Sequence, residues 1–163
     1  MPQDSGVEAR EAAVQDVEVR QHVAAPVQRV WDVATDLTGS PRVIRGIDAV
    51  EVLTPGPFGV GTRWRETRTM MGRSATEEMA VTAVQPQRSY RVEAASRGAH
   101  YVSTLALTPS ADGGTDMTMT FGGRPTSTVA RVLGAVTAPL GRRAAAKALQ
   151  QDLRDIAAAA ERA

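Results

Sequence analysis

Charged residues of opposite sign share one face of a predicted strand, and they are the side chains of this chain best placed to do chemistry. Within 63–70, Trp64, Glu66 and Arg68 are two residues apart, so an extended backbone directs them to the same side. Glu77 has an equivalent position on the next predicted strand. A carboxylate on an apolar face must be paired, protonated or solvated. Arg68 with Glu66 or Glu77 therefore predicts a polar anchor in an apolar pocket, a structural ion pair, or charges at the rim of a sheet.

Further side chains with the same inward phase could line a binding site. A phenol or hydroxyl could orient a ligand carbonyl, and methionine fills irregular apolar space, although each could equally serve ordinary packing. The full set of predicted ligand-contacting residues is Trp64, Glu66, Arg68, Glu77, Met79, Tyr90, Tyr101, Ser103, Met117, Met119, Val132 and Val136.

Several familiar chemistries are missing from the sequence. His22 and His100 are the two histidines, and they do not have the spacing of metal ligands; there is no cysteine. No G-x-S-x-G elbow is present, and the glycine-rich stretch 55–61 lacks the lysine and hydroxyl residue of a phosphate-binding loop. We therefore expect neither a metal nor a cofactor.

Length and charge favour one globular domain. The chain has 163 residues, 42% of them hydrophobic, and a net charge of +1. Residues 1–15 are predicted to be a weakly ordered tail, and 16–163 a single domain. The weak net charge and the absence of a long apolar run predict no nucleic-acid partner and no integral membrane association. A cytoplasmic monomer or homodimer is expected.

Periodicity predicts an α+β fold. Strands are expected at 17–23, 47–54, 63–70, 75–84, 90–96, 100–108 and 117–121, joined by short turns typical of an antiparallel meander. Two short helices are expected after Pro26, and a long helix from Pro125 to Arg162, bent beside Pro139 and Gly141. Its first apolar stripe runs from Val129 to Leu140. Such a sheet should curl around the long helix.

Three segments carry a resemblance to a known family. They are Val23–Val33 (VAAPVQRVWDV), Gly59–Trp64 (GVGTRW) and the terminal helix with its internal proline. The chain resembles the helix-grip fold of the START-like (SRPBCC) superfamily, in its polyketide cyclase/dehydrase and lipid-transport branch. The resemblance implies a cavity between a curved sheet of about seven strands and the long helix, with Gly56–Gly61 near its mouth.

Three functions are compatible with that resemblance. The first is binding of a small apolar or aromatic molecule, lipid-like or polyketide-like, in the cavity. The second is a polyketide aromatase or cyclase that holds a reactive chain in a productive fold and moves protons through Glu66 with Tyr101 or His100. The third is a protein-interaction module.

Overall fold

The order of elements agrees with the expected helix-grip architecture. The computed structural model describes residues 17–96 and 98–162, and of residues 128–139 the backbone alone. Its elements are β1 (Val17–Val23), α1 (Val27–Thr35), α2 (Ser40–Val43), β2 (Ala49–Val52), β3 (Arg63–Met70), β4 (Arg73–Gln85), β5 (Ser89–Ser96), β6 (Ala99–Pro109), β7 (Thr115–Pro125) and α3 (Thr128–Arg162). Within the described part of the chain, no helix has the length and apolarity needed to cross a membrane.

The strands form one curved antiparallel sheet, and the predicted α+β class is confirmed. Their spatial order is β1-β7-β6-β5-β4-β3-β2, so consecutive strands from β2 to β7 are neighbours. β1 pairs with β7 and forms the edge of the sheet opposite β2. Several strands extend beyond the predicted bounds, and β7 does so at both ends. The reason is that β6 continues to pair with β7 beyond the residues whose apolar and polar side chains alternate. The curvature leaves one face of the sheet for α3 to cover.

The turn between β3 and β4 explains how that pair stays in register. Met71 and Gly72 both have positive φ, at 50° and 75°, as a two-residue hairpin turn of the primed type requires. Met70 therefore pairs directly with Arg73, and Glu66 with Glu77. The turn thus decides which residues of β4 face the charged residues of β3.

The described side chains on the face covered by α3 form two apolar clusters. The first joins β1, β6 and β7 to the C-terminal half of α3, with Leu105, Met117 and Leu153 fully buried at its centre. The second is built on Trp64 and its neighbours in β4 and β5.

Some predictions fall on residues that the structure does not describe. These are the tail at 1–15, the turn residue Arg97, and the side chains of Val132, Val136 and the rest of the first helical stripe. Leu140, the last residue of that predicted stripe, is 73% exposed, so the apolar stripe is not covered at this position. Helical spacing shows which residues share a side of a helix, but it does not show how far along the helix a partner covers that side.

Candidate functional site

The predicted site residues of the strands lie on one face of the sheet, the face that α3 covers. Directly paired residues in an antiparallel sheet point to the same side, and two residues along a strand return to that side. One row across the sheet runs Trp64, Met79, Ala94, Tyr101 and Gly123, and the next rows contain Glu66 with Glu77 and Ser103 with Phe121. Tyr90 lies opposite Leu105, which in turn lies opposite Met119.

A polar clamp joins β3 to α3 beneath this face. Arg68 donates from Nε to Glu66 Oε1 at 2.6 Å, and from Nη1 and Nη2 to the two oxygens of Asp152 at 3.2 and 2.9 Å. The indole of Trp64 donates to the other oxygen of Glu66 at 3.2 Å. We call Trp64, Glu66, Arg68 and Asp152 the clamp. Gly46 lies beside it, since a Cβ there would stand 3.0 Å from Arg68 Nη1.

The clamp holds an excess of negative charge. Burial alone would lower the pKa of Arg68, but the carboxylates of Glu66 and Asp152 outweigh burial and raise that pKa above its usual range. Burial raises the pKa of Asp152, and its ion pair with Arg68 offsets only part of this effect. One guanidinium therefore balances two carboxylates incompletely.

Asp152 is the clamp residue that sequence reasoning missed. It lies on α3 between Leu149 and Leu153, inside the second apolar stripe of the helix, and only 5% of it is exposed. One turn later, buried Asp155 accepts from the backbone N–H of Arg45 at 2.9 Å and from its guanidinium at 3.0 Å. Acidic residues inside an apolar stripe were the available signal, because a buried carboxylate requires a partner elsewhere in the fold.

Aromatic rings close the end of the interior next to α1. Tyr90, Trp31 and Phe58 contact one another edge to face, with ring centroids 5.1 to 6.4 Å apart. The Tyr90 hydroxyl donates a long hydrogen bond of 3.4 Å to the Ala34 carbonyl. Burial raises the pKa of Tyr90, and the charges of Glu66 and Asp152 raise it further, so the phenol is neutral at physiological pH. Phe58 brings the glycine-rich loop before β3 onto this cluster.

A flat aromatic surface lies on the same face of β6 and β7. The rings of Tyr101 and Phe121 are stacked, with centroids 5.6 Å apart and planes 16° from parallel. Gly123 permits this arrangement, because a Cβ at that position would lie 3.0 Å from Cδ1 of Tyr101. Tyr101 and Phe121 are each half-buried. We call this pair of rings the aromatic platform.

Several predicted residues of this face keep surface that protein neighbours do not cover. Glu77, Met79 and Ser103 are half-buried. Neither Glu77 nor Ser103 has a side-chain hydrogen-bond partner among the described residues. Every buried side-chain nitrogen or oxygen in that part of the chain does have a partner, so the polar atoms of Glu77 and Ser103 must be accessible. Met117, in contrast, is fully buried in the first core cluster. Its side chain is part of the hydrophobic core and has no exposed surface that a ligand could contact.

His100 lies on the other face of the sheet, which corrects its suggested role beside Glu66. It pairs with Ala95, out of phase with Tyr101, and its Nε2 is 3.0 Å from Oε1 of Glu93. His22 is exposed, as expected, and lies between Asp112 and Asp116. No group of three or more histidine and acidic side chains in the described residues could hold a metal ion.

Comparison with known proteins agrees with this architecture. The model of a family described as "Polyketide cyclase / dehydrase and lipid transport" matches residues 14–161. No curated protein matches the chain.

Three solved structures have similar folds. The di-domain ARO/CYC StfQ from the steffimycin biosynthetic pathway is 17% identical, with 95% of this chain and 54% of that chain covered and a TM-score of 0.78. The Zhui aromatase/cyclase from a Streptomyces species is 20% identical, with coverages of 90% and 93% and a TM-score of 0.65. A START superfamily protein from Mycobacterium smegmatis is 16% identical, with coverages of 82% and 93% and a TM-score of 0.62. At these identities the likeness shows the fold.

Proposed function

Because this chain belongs to the polyketide cyclase/dehydrase and lipid transport family, we propose that it binds a small apolar or aromatic molecule between the sheet and α3. The ligand contacts the aromatic platform and the half-buried side chains beside it. Lipid transport would use the same interior. The weak net charge argues against a nucleic-acid partner. We also propose a cytoplasmic protein that acts as a monomer or homodimer.

The partial exposure of the aromatic platform is the observation that carries this proposal. Tyr101 and Phe121 are each half-buried, although they lie on the same face as the fully buried Leu105 and Met117. In a protein interior filled by its own side chains, a tyrosine in that position would be covered. Surface left uncovered on the enclosed face of a sheet is where an apolar ligand gains the most from leaving water.

The clamp supports the proposal by holding the far half of α3 in place. It ties β3 to α3 at Arg68 and Asp152, and the Arg45–Asp155 pair ties the preceding loop to the same helix. A site framed by rigid elements loses less entropy when a ligand binds. We therefore assign the clamp a positioning role, and the platform the ligand contact.

Turnover has weaker support than binding. The acid–base pair suggested for a cyclase requires a free carboxylate at Glu66, but Trp64 and Arg68 occupy its two oxygens. His100 is on the opposite face, and Tyr101 lies three strands away from Glu66. The resemblance to aromatase/cyclases is one of fold, so binding without a required chemical step is the function we propose.

A pair of adjacent substitutions in β6 tests the binding site. Ser103→Phe adds a ring on the enclosed face between Val92 and Phe121, whereas Thr104→Phe adds the same ring to the opposite face. We expect native mass spectrometry of the purified wild-type protein to reveal a bound small molecule, or thermal-shift screening of aromatic and lipid compounds to find one that stabilises it. Ser103→Phe should weaken that binding by about tenfold or more, because the added ring occupies the ligand's volume.

Thr104→Phe should bind like the wild-type protein. Equal binding by both variants would show that the ligand site is elsewhere. A wild-type protein that neither retains nor responds to any compound of the panel would contradict the proposed function.

A further inference from the structure

We propose that the enclosed site selects ligands that carry a positively charged nitrogen, and that Glu77 is the residue that binds it. This inference rests on the proposed function and specifies the class of ligand. Apolar contact alone would accept neutral, acidic and basic molecules alike. The charges around the site make these classes unequal.

The described residues on this face carry an excess of negative charge. Among these described residues, Glu66, Glu77 and Asp152 are carboxylates, and Arg68 is the one guanidinium within reach of them. Arg73 also belongs to this face, but it lies at the exposed tip of the hairpin. Three carboxylates against one guanidinium leave an excess of two negative charges in a partly dry environment, where charges interact more strongly than in water.

Glu77 lies directly across the sheet from Glu66. Cβ atoms of such a pair are about 5 Å apart, and like charges in this position destabilise a sheet. Glu66 is stabilised by Trp64 and Arg68, whereas no described residue forms a hydrogen bond or ion pair with Glu77. Glu77 is therefore a half-buried carboxylate that a cationic ligand would relieve of repulsion.

The aromatic platform also favours a cationic ligand. The aromatic platform presents π faces, and aromatic faces attract ammonium and guanidinium groups as well as apolar rings. Tyr101 is two strands from Glu77 and two residues further along, a separation of roughly 12 Å from strand spacing and rise. A fused aromatic ring with a short basic side chain spans that distance.

Three probes with one ring system and different headgroups test the inference. Naphthylethylamine is cationic at neutral pH, naphthylethanol is neutral and naphthylacetate is anionic. Isothermal titration calorimetry of the whole chain should give an affinity order of amine, alcohol, acid, with the amine about tenfold tighter than the alcohol. Low salt should widen these differences and high salt should narrow them.

Two adjacent substitutions assign the effect to Glu77. Glu77→Gln should reduce the preference for the amine over the alcohol to less than about twofold. Glu78→Gln is the matched control, because Glu78 lies on the opposite face and pairs with Arg63. It should retain the full preference. The melting temperatures of both variants show whether each is folded.

The outcomes separate this inference from the function on which it rests. Binding of the alcohol at least as tight as that of the amine overturns the inference and leaves the proposed binding function standing. The same preference in Glu77→Gln as in the wild-type protein overturns the role of Glu77. Failure of all three probes, together with an absence of any co-purified molecule, overturns both proposals.

Discussion

Replacing Arg68 by methionine should destabilise the protein strongly, because the substitution leaves two buried carboxylates without their cation. The side chains of Glu66 and Asp152 are 10% and 7% exposed, so water cannot take the place of the guanidinium. Methionine keeps most of the length of the apolar stem and removes only the charged group and its donors. The loss therefore reports on the clamp and not on a cavity.

The expected loss is about 3 kcal/mol in the free energy of unfolding. Removing one partner of a buried ion pair typically costs about 3–5 kcal/mol. The side chain of Arg68 is itself 27% exposed, so solvent screens part of the interaction, and the lower end of that range applies. Such a loss is a large fraction of the roughly 5–15 kcal/mol that stabilises an ordinary domain.

Arg65→Met is the matched control for this experiment. Arg65 lies on the same strand and the opposite face, and its ion pair with Glu51 joins side chains that are 49% and 66% exposed. Loss of such a pair should cost less than about 1 kcal/mol. Urea unfolding followed by far-ultraviolet circular dichroism measures both variants without depending on the fluorescence of Trp64, whose indole belongs to the clamp. The reasoning is refuted if the two variants differ by less than about 1 kcal/mol.

The loss in the free energy of unfolding caused by Arg68→Met should also depend on pH. Burial raises the pKa of Asp152 above its ordinary value in the folded protein, so the folded state holds this proton more tightly than the unfolded state. The stability that comes from this group is complete below the unfolded pKa and is lost as pH rises through the folded pKa. Removing Arg68 raises the pKa of Asp152 in the folded protein further. The difference in the free energy of unfolding between the Arg68→Met and Arg65→Met variants should therefore become smaller as pH falls from about 7 to about 4. A gap that widens on acidification would contradict this account.

Two further predictions concern the aromatic platform and the exposed histidine. Gly123→Ala should displace the ring of Tyr101 and weaken naphthylethanol binding about three- to tenfold, with little change in melting temperature, and unchanged affinity would exclude the platform from the site. His22 should have a pKa above 6.5 in an NMR titration, because Asp116 accepts a hydrogen bond from its ring and Asp112 adds a second negative charge. Its contribution to stability is present below 6.5 and lost as pH rises through the raised pKa, and Asp116→Asn should bring the histidine signal back toward 6.5.

Local periodicity was sufficient for most of the fold. Alternation with period two located the seven strands, and Pro26 and Pro125 marked helix entries within a few residues. The order of elements then supported the helix-grip resemblance, which the family match and the sheet topology confirm. The same alternation also separated Tyr101 from His100, since neighbouring residues of a strand point to opposite faces.

The sequence by itself thus determined the elements, the class of fold and which strand residues share a face, because all three follow from the geometry of a few adjacent residues. Tertiary structure alone decided that Asp152, 84 residues from Arg68, completes the clamp, that Met117 is enclosed in the core, and that Leu140 remains uncovered. These outcomes depend on where α3 lies across the sheet. That placement results from packing between distant segments, for which no local pattern carries the information.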